Sequence, residues 1–427
     1  MVVHIARLLA ISVLLIAAVI GILFITRGTA LRRVRGVGVD GVPVGASEPG
    51  FSATVSLLAG GHLLPGNRVE LALNGDGTFE RLWTDLSAAT ESITVQMYYA
   101  QPGRVADRLR DVLVERARAG VRVFFLYDAF GSSALKRAYV NELREAGVRA
   151  IPFRPLRFRN LWVVQNRSHI RGVVVDRRVA WTGGFGVDDK WLGDGHTNLA
   201  WRDTNVRFEG PAVDQLQAAF VAAWAEATGE LFSGRPPTVL CEGGVAAAGL
   251  LATAPTLGST PAERFLALSI AGARERLYVT NAYFAPDRNF VDLLIDAASN
   301  GVDVRVLVGG PRTDVRMARL AAHSRYDRLL AAGVRVFEYQ PSTLHAKTFV
   351  VDGHWTTVGT MNFDNRSLAL NDESTLMVLD RAFGAQMESV FHADLERAEE
   401  IHLEIFRRRS RVMRVAEWGA NRIAPLL

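Results

Sequence analysis

The sequence predicts an α/β protein: two similar α/β/α sandwich domains related by a pseudo-twofold axis, preceded by one transmembrane helix. Three observations carry this. Residues 8–26, LLAISVLLIAAVIGILFIT, contain no charge. Beyond them, apolar runs of strand length alternate with segments of helical periodicity. The order of those runs between residues 93 and 153 then recurs between 277 and 339. At 427 residues and 49% hydrophobic content, the chain can bury more than one core.

The uncharged stretch nearly matches the ~20 residues that span a hydrocarbon core. It exceeds the ~7–15 apolar residues of a cleaved signal peptide. Residues 1–30 therefore read as a retained single-pass anchor. Arg7 precedes the span, whereas Arg27, Arg32, Arg33 and Arg35 follow it. The excess of arginine on the following side places the body of the protein in the cytoplasm. Residues 31–65, rich in Gly, Pro and Ser toward their end, read as a linker with at most one short strand.

Two domains follow, at 66–240 and at 255–427, the second ending in a basic tail. In the first, ITVQMYYAQPG (93–103) reads as a strand and VADRLRDVLVERARAG as an amphipathic helix. Next come the strand VRVFFLYD (121–128), a helix and AGVRAIPF (146–153). The second repeats the order with LYVTNAYFAP (277–286), NFVDLLIDAASNG, VDVRVLVGG (302–310), a helix and AAGVRVFEY (331–339). Continuous apolar strands separated by helices predict a largely buried sheet covered on its faces.

Composition narrows the partners. The single cysteine, Cys241, excludes an internal disulfide, and no Cys/His cluster has zinc-ligand spacing. The net charge is +5, yet nine arginines lie in two terminal clusters: the four after the apolar span and Arg407, Arg408, Arg409, Arg411 and Arg414. The remainder of the chain is thus net acidic, which argues against a nucleic-acid groove. Basic clusters beside an anchor suit anionic lipid headgroups instead.

Each half ends in a histidine-centred strand. The second carries His345-x-Lys347-x4-Asp352-x6-Gly359-Thr360-x-Asn362, and the first His169-x-Arg171-x4-Asp176-x6-Gly183-Gly184-x-Gly186. Alternation along a strand puts His345 and Lys347 on one face. An imidazole there can attack or donate a proton, the ammonium can hold a phosphate oxygen, and Asn362 adds a neutral donor. Asp352, at an odd offset, points to the opposite face and reads as structural, as does Asp176. A carboxylate from a later segment is the better imidazole partner. Glu373 is that candidate for the second half and Asp203 for the first, each fixing a tautomer. Of 49 basic residues only Lys136, Lys190 and Lys347 are lysine. A lysine kept at position 347 implies that a planar guanidinium fits poorly there. Arg171 keeps the charge in the first half, whereas Gly186 removes a side-chain donor.

This pattern resembles the HKD signature H-x-K-x4-D-x6-G-[SG]-x-N of the phospholipase D superfamily. The runs NFDNRSLALNDES, VAWTGGFGVDDKWLG and WRDTNVRFEGPAV most resemble bacterial cardiolipin synthases, over roughly residues 66–427. The resemblance implies two phospholipase D-like domains and an anionic phospholipid substrate at the bacterial inner membrane. It implies one histidine forming a phosphohistidine and the other serving as acid and base. Lys347, Arg171 and Asn362 would bind the phosphate, with no metal or cofactor. Family habit favours His169 as nucleophile, whereas the intact motif favours His345. A hydrolase, a tethered nuclease or phosphodiesterase, and an inactive lipid-binding protein with a decayed first motif stay open. The segment RPLRFRNLWVVQ ahead of His169, with Arg157, Arg159 and Trp162, is either a headgroup-contacting loop or ordinary surface.

Overall fold

The computed structural model describes residues 42–156, 165–197, 200–232, 241–256 and 258–424, with isolated positions between Arg7 and Arg35. After a helix α1 (Phe51–Ala59), the first half runs β1 (Leu64–Leu73), α2 (Asn74–Ser87), β2 (Ser92–Met97), α3 (Arg104–Arg118) and β3 (Arg122–Asp128). It continues with α4 (Arg137–Glu145), β4 (Arg149–Phe153), β5 (Gly172–Val175), β6 (Val179–Gly183), β7 (Thr204–Glu209) and α5 (Ala212–Thr228). The second half runs β8 (Ala246–Thr253), α6 (Pro261–Ala271), β9 (Arg276–Asn281), α7 (Arg288–Ser299), β10 (Asp303–Gly309) and α8 (Arg316–Ala331). Next come β11 (Arg335–Tyr339), β12 (Lys347–Val351), β13 (Trp355–Gly359), α9 (Asn365–Ala369) and β14 (Glu373–Leu379). The chain ends with α10 (Arg381–Leu395), β15 (Ala398–Glu400), α11 (Leu403–Arg407) and α12 (Arg411–Ile423).

Among the described residues the strands form one 15-stranded mixed sheet, joined where β1 pairs with β8. Outward from that junction, one side reads β1-β7-β6-β5-β2-β3-β4 and the other β8-β14-β13-β12-β9-β10-β11, with β15 added at the edge. The two orders match position for position, so the sequence repeat is a structural repeat. β2, β3 and β4 are parallel, as are β9, β10 and β11. Parallel neighbours need long crossovers, and the amphipathic helices supply them. In α3, Val105, Leu109, Val112 and Leu113 fall on one stripe and are buried, which is why that segment is a helix on the sheet. The halves share a core: Val174, Val206 and Phe208 of the first cluster with Leu250, Val350, Val358 and Leu376 of the second.

The expected linker holds more structure than its composition suggests. Phe51, Val55 and Ala59 recur every fourth residue, so α1 buries one stripe in the core of the second half. The Phe51 and Trp355 rings meet edge-on at 5.2 Å. Glycines at both ends of α1, Gly50 and Gly60, conceal this short helix within a loop-like composition. Strand β8 occupies the interval between the two expected domains and pairs with both β1 and β14. The anchor expected before residue 30 lies largely outside the described residues, and so does the loop with Arg157, Arg159 and Trp162. Among the described residues no helix is long and apolar enough to cross a membrane.

Candidate active site

The two histidines stand just ahead of β5 and β12, on extended segments that cross between the halves. The His169 N–H donates to the Asp372 carbonyl at 2.8 Å, and the Asp372 N–H to the Arg167 carbonyl at 2.9 Å. Symmetrically, the His345 N–H donates to the Arg202 carbonyl at 2.7 Å and the Arg202 N–H to that of Thr343 at 2.9 Å. Each histidine is thereby stitched beside the acid-bearing segment of the opposite half.

The side chains follow the backbone. His169 Nδ1 lies 2.8 and 3.0 Å from the two Glu373 oxygens, and His345 Nδ1 lies 2.9 Å from Asp203 Oδ2. The sequence pairs each histidine with the acid of its own half; the structure exchanges the partners. A carboxylate accepting Nδ1–H fixes the tautomer that leaves Nε2 as the reactive nitrogen. Asp203 also accepts the Trp191 Nε1–H at 2.8 Å. Glu373 accepts the Thr360 hydroxyl at 2.5 Å and the Asn371 amide at 3.3 Å.

Alternation brings the cations to the same place. Arg171 Nη2 lies 3.3 Å from His169 Nε2, and its Nη1 lies 3.4 Å from His345 Nδ1 and donates to the Gly184 carbonyl. The Lys347 ammonium donates to the His345 carbonyl and faces the Tyr283 ring at 5.9 Å. Burial lowers His169, against the pull of Glu373; burial and then Lys347 push His345 well below the usual imidazole range. Both rings are therefore neutral near pH 7. Burial also brings Lys347 down to about 7. At Asp203, burial acts upward but His345 and Lys347 outweigh it and hold the carboxyl at about 2.

Asp176 and Asp352 sit elsewhere, at the far ends of β5 and β12, both with φ of +51°. Asp352 accepts the backbone N–H groups of Arg274, Glu275 and Arg276, each at 2.9 Å. Asp176 accepts those of Thr90, Glu91 and Ser92 at 2.7–2.8 Å. Both carboxylates pin the start of the neighbouring strand and do not approach the imidazoles.

A cavity of about 270 Å³ opens onto both histidines, Arg171 and Asn362, whose buried side-chain oxygen has no hydrogen-bond partner among the described residues. Gly186, which stands where the second motif has Asn362, is filled from another direction. A Cβ there would lie 2.8 Å from the Trp191 ring, and Trp191 also lines the cavity.

The family described as cardiolipin synthase, PLD-like domain, matches residues 266–395. Over 370 residues the chain is 36% identical to cardiolipin synthase A of Pseudomonas aeruginosa, spanning 85% of this chain and 74% of that one. The chain belongs to the cardiolipin synthase family of the phospholipase D superfamily. Cardiolipin synthase of Geobacillus kaustophilus is 35% identical over 358 residues, 83% of this chain and 71% of that one. Among solved structures, phosphatidylserine synthase of Haemophilus influenzae superposes with a TM-score of 0.66 at 14% identity, covering 89% of this chain and 98% of that one. Polyphosphate kinase of Porphyromonas gingivalis reaches 0.52 at 13% identity, over 79% and 49%. These two likenesses concern the fold alone.

In this cardiolipin synthase family member the aromatic wall of the site is what motif reading misses. Tyr98 meets the His169 ring edge-on at 4.9 Å, and Trp201 lies 5.0 Å from that of His345. A signal existed for the tyrosines: the equivalent strands β2 and β9 both run into aromatic pairs, Tyr98-Tyr99 and Tyr283-Phe284. Trp191 and Trp201 lie in runs that carry the family resemblance, but nothing local to them pointed to the cavity. Nor did anything local place Lys190, one of the three lysines, there; its ammonium lies 3.7–4.8 Å from the centres of three rings.

Proposed function

We propose that the protein is a membrane-attached phosphatidyltransferase that forms cardiolipin and glycerol from phosphatidylglycerol and a second phospholipid, through a phosphohistidine. One observation carries the reading: two imidazoles, each held at Nδ1 by a carboxylate of the opposite half, open onto one cavity beside Arg171. In the first step Nε2 of one imidazole attacks phosphorus. The bond from phosphorus to the glycerol oxygen breaks, and the leaving oxygen takes a proton from the other imidazole. In the second step the acceptor hydroxyl gives its proton to that imidazole and its oxygen attacks phosphorus. The phosphorus–nitrogen bond breaks, freeing the first ring. Splitting the displacement this way replaces one hard step with two easier ones.

The electrostatics suit these roles. Burial keeps the attacking ring neutral with its lone pair available, while the anion of the bound phosphodiester raises the proton affinity of its partner. The two rings titrate as a coupled pair. Arg171 and Lys347 stabilise charge on the phosphate oxygens as phosphorus becomes five-coordinate. Asn362 offers a neutral donor to the same oxygens.

Membrane attachment rests on the uncharged segment 8–26 and on α12. That helix turns Glu417 inward to His323 and Arg409, and leaves Val412, Val415 and Trp418 exposed at 78%, 68% and 61%. Arg411, Arg414 and Arg422 stand beside them, also exposed. A helix that hides its carboxylate and shows valine, tryptophan and arginine suits an anionic bilayer surface. We place the body on the cytoplasmic side by the arginines after the span.

The test is a product assay with labelled phosphatidylglycerol in micelles. Labelled cardiolipin with free glycerol, absent in His345→Ala, is the expected result. Phosphatidic acid as sole product replaces this reading with hydrolysis, and no product favours an inactive lipid-binding protein.

A further inference from the structure

We infer that Lys190, which shares the cavity wall with Arg171 and Arg366, binds the phosphate of the acceptor phospholipid and so selects an anionic lipid as second substrate. This rests on the transferase reading above. Lys190 lines the same cavity as the two histidines but on its aromatic side. Its ammonium sits 3.7 Å from the Tyr99 ring centre, 4.1 Å from that of Trp201 and 4.8 Å from that of Trp191. The nearest acid in ion-pair range, Asp188, is at 3.8 Å. Three ring faces hold the ammonium in place without consuming its hydrogen-bond donors, since the attraction to a π-face is electrostatic and diffuse. A compact, strongly charged head with rotatable donors is thus presented to the cavity.

The site it adjoins is already provided with charge for the reacting phosphate. Arg171 reaches both histidines, and the Lys347 ammonium donates to the His345 carbonyl. The indole of Trp191 links the two regions, with the Arg171 guanidinium 5.5 Å from the ring centre on which Lys190 also rests. In the second chemical step the reacting lipid is held covalently and the incoming molecule carries its own phosphodiester. Its attacking hydroxyl and that phosphate are the two ends of one glycerol unit. A cation one ring away from the reacting centre can fix the phosphate while the hydroxyl meets phosphorus. The hydroxyl proton passes to the free imidazole and the phosphorus–nitrogen bond breaks, as in transfer to any alcohol. A neutral alcohol such as glycerol makes no use of Lys190. The 3-10 turn Asp189–Trp191 that carries Lys190 is anchored: the Asp188 carboxylate accepts the Lys190 N–H at 3.0 Å, and Trp201 donates to the Lys190 carbonyl at 2.8 Å. The position of the ammonium is therefore set before the lipid arrives.

The experiment compares two acceptors for one donor. Full-length protein in micelles receives phosphatidylglycerol with radiolabelled free glycerol. Two products are counted: cardiolipin, and phosphatidylglycerol that has exchanged its headgroup. Lys190→Gln is expected to lower the ratio of cardiolipin to exchange by about tenfold or more, the loss of one charge-assisted contact. Lys190→Arg, which keeps the charge, should recover part of it. A ratio that stays the same in Lys190→Gln overturns the inference, whether both products fall together or neither does. Thermal unfolding of the variants separates misfolding, which lowers both products, from a change in ratio. A wild-type protein that exchanges glycerol or releases phosphatidic acid without making cardiolipin removes the transferase reading itself, a result distinct from any property of Lys190.

Discussion

His169 Nδ1 lies 2.8 Å from Glu373 Oε2, a carboxylate 204 residues later and in the other half of the chain. His345 and Asp203 form the reciprocal contact at 2.9 Å. Neither half holds a complete imidazole–carboxylate pair, so the site exists only when the halves are docked.

The exchange of partners has a spectroscopic consequence. In ¹⁵N-histidine-labelled protein, Glu373→Gln should shift the Nδ1–H resonance of His169 and leave that of His345 nearly in place; Asp203→Asn should do the reverse. Each substitution should lower kcat by about 10²–10⁴-fold, as expected where an orienting carboxylate is lost. Shifts on the histidine of the same half would restore the pairing expected from sequence.

The pH profile follows from Lys347. Burial lowers it to about 7, so its ammonium is present below that value and lost as pH rises through it. The kcat/KM of the free enzyme should therefore fall on an alkaline limb near that value. Lys347→Arg should move the limb above about pH 9, since guanidinium stays charged, while lowering kcat about tenfold or more because a planar fork does not replace a point charge. An unmoved limb would assign it to another group.

Asp352 serves the fold. Its carboxylate receives three consecutive backbone N–H groups from a residue at φ +51°. Asp352→Ala should cost about 2–4 kcal/mol, combining lost hydrogen bonds with a left-handed backbone that alanine tolerates poorly. Asp352→Asn should cost less, because asparagine accepts that conformation and keeps one acceptor. Denaturant titration measures both, and kcat per folded molecule should hold.

Gly186 is not a lesion awaiting repair. With the Trp191 ring 2.8 Å from any Cβ at that position, Gly186→Asn overpacks the site. It should destabilise the protein by about 1–3 kcal/mol and reduce turnover. Higher activity in that variant, in parallel kcat and melting measurements, would show that the first motif had decayed.

The outward face of α12 predicts a salt-dependent membrane affinity. Replacing Arg411, Arg414 and Arg422 together by Gln should weaken sedimentation with anionic vesicles about 100-fold, at about 1 kcal/mol for each arginine. Binding to zwitterionic vesicles should change far less. Equal losses on both vesicle types would assign the helix a packing role.

Much of this protein is determined locally. The apolar runs fix β2, β3, β9 and β10, and their recurrence fixes the duplicated sheet, because side-chain alternation and helical periodicity are properties of a few consecutive residues. The same alternation puts Lys347 with His345 and sends Asp352 away. Local rules do not reach α1, a three-residue stripe between glycines whose helix persists because the second half buries it. Nor do they reach Trp191, which meets Asp203 and closes over Gly186 only in the folded chain. The pairing of histidines with acids was decided by tertiary structure alone. Two halves with the same strand order and motif spacing present the same local pattern whether each acid serves its own histidine or the other's. Among the described residues, the backbone bridges of 168 with 372 and 202 with 344, and the Arg154–Asp372 and Arg202–Asp394 ion pairs, break that symmetry in favour of exchange.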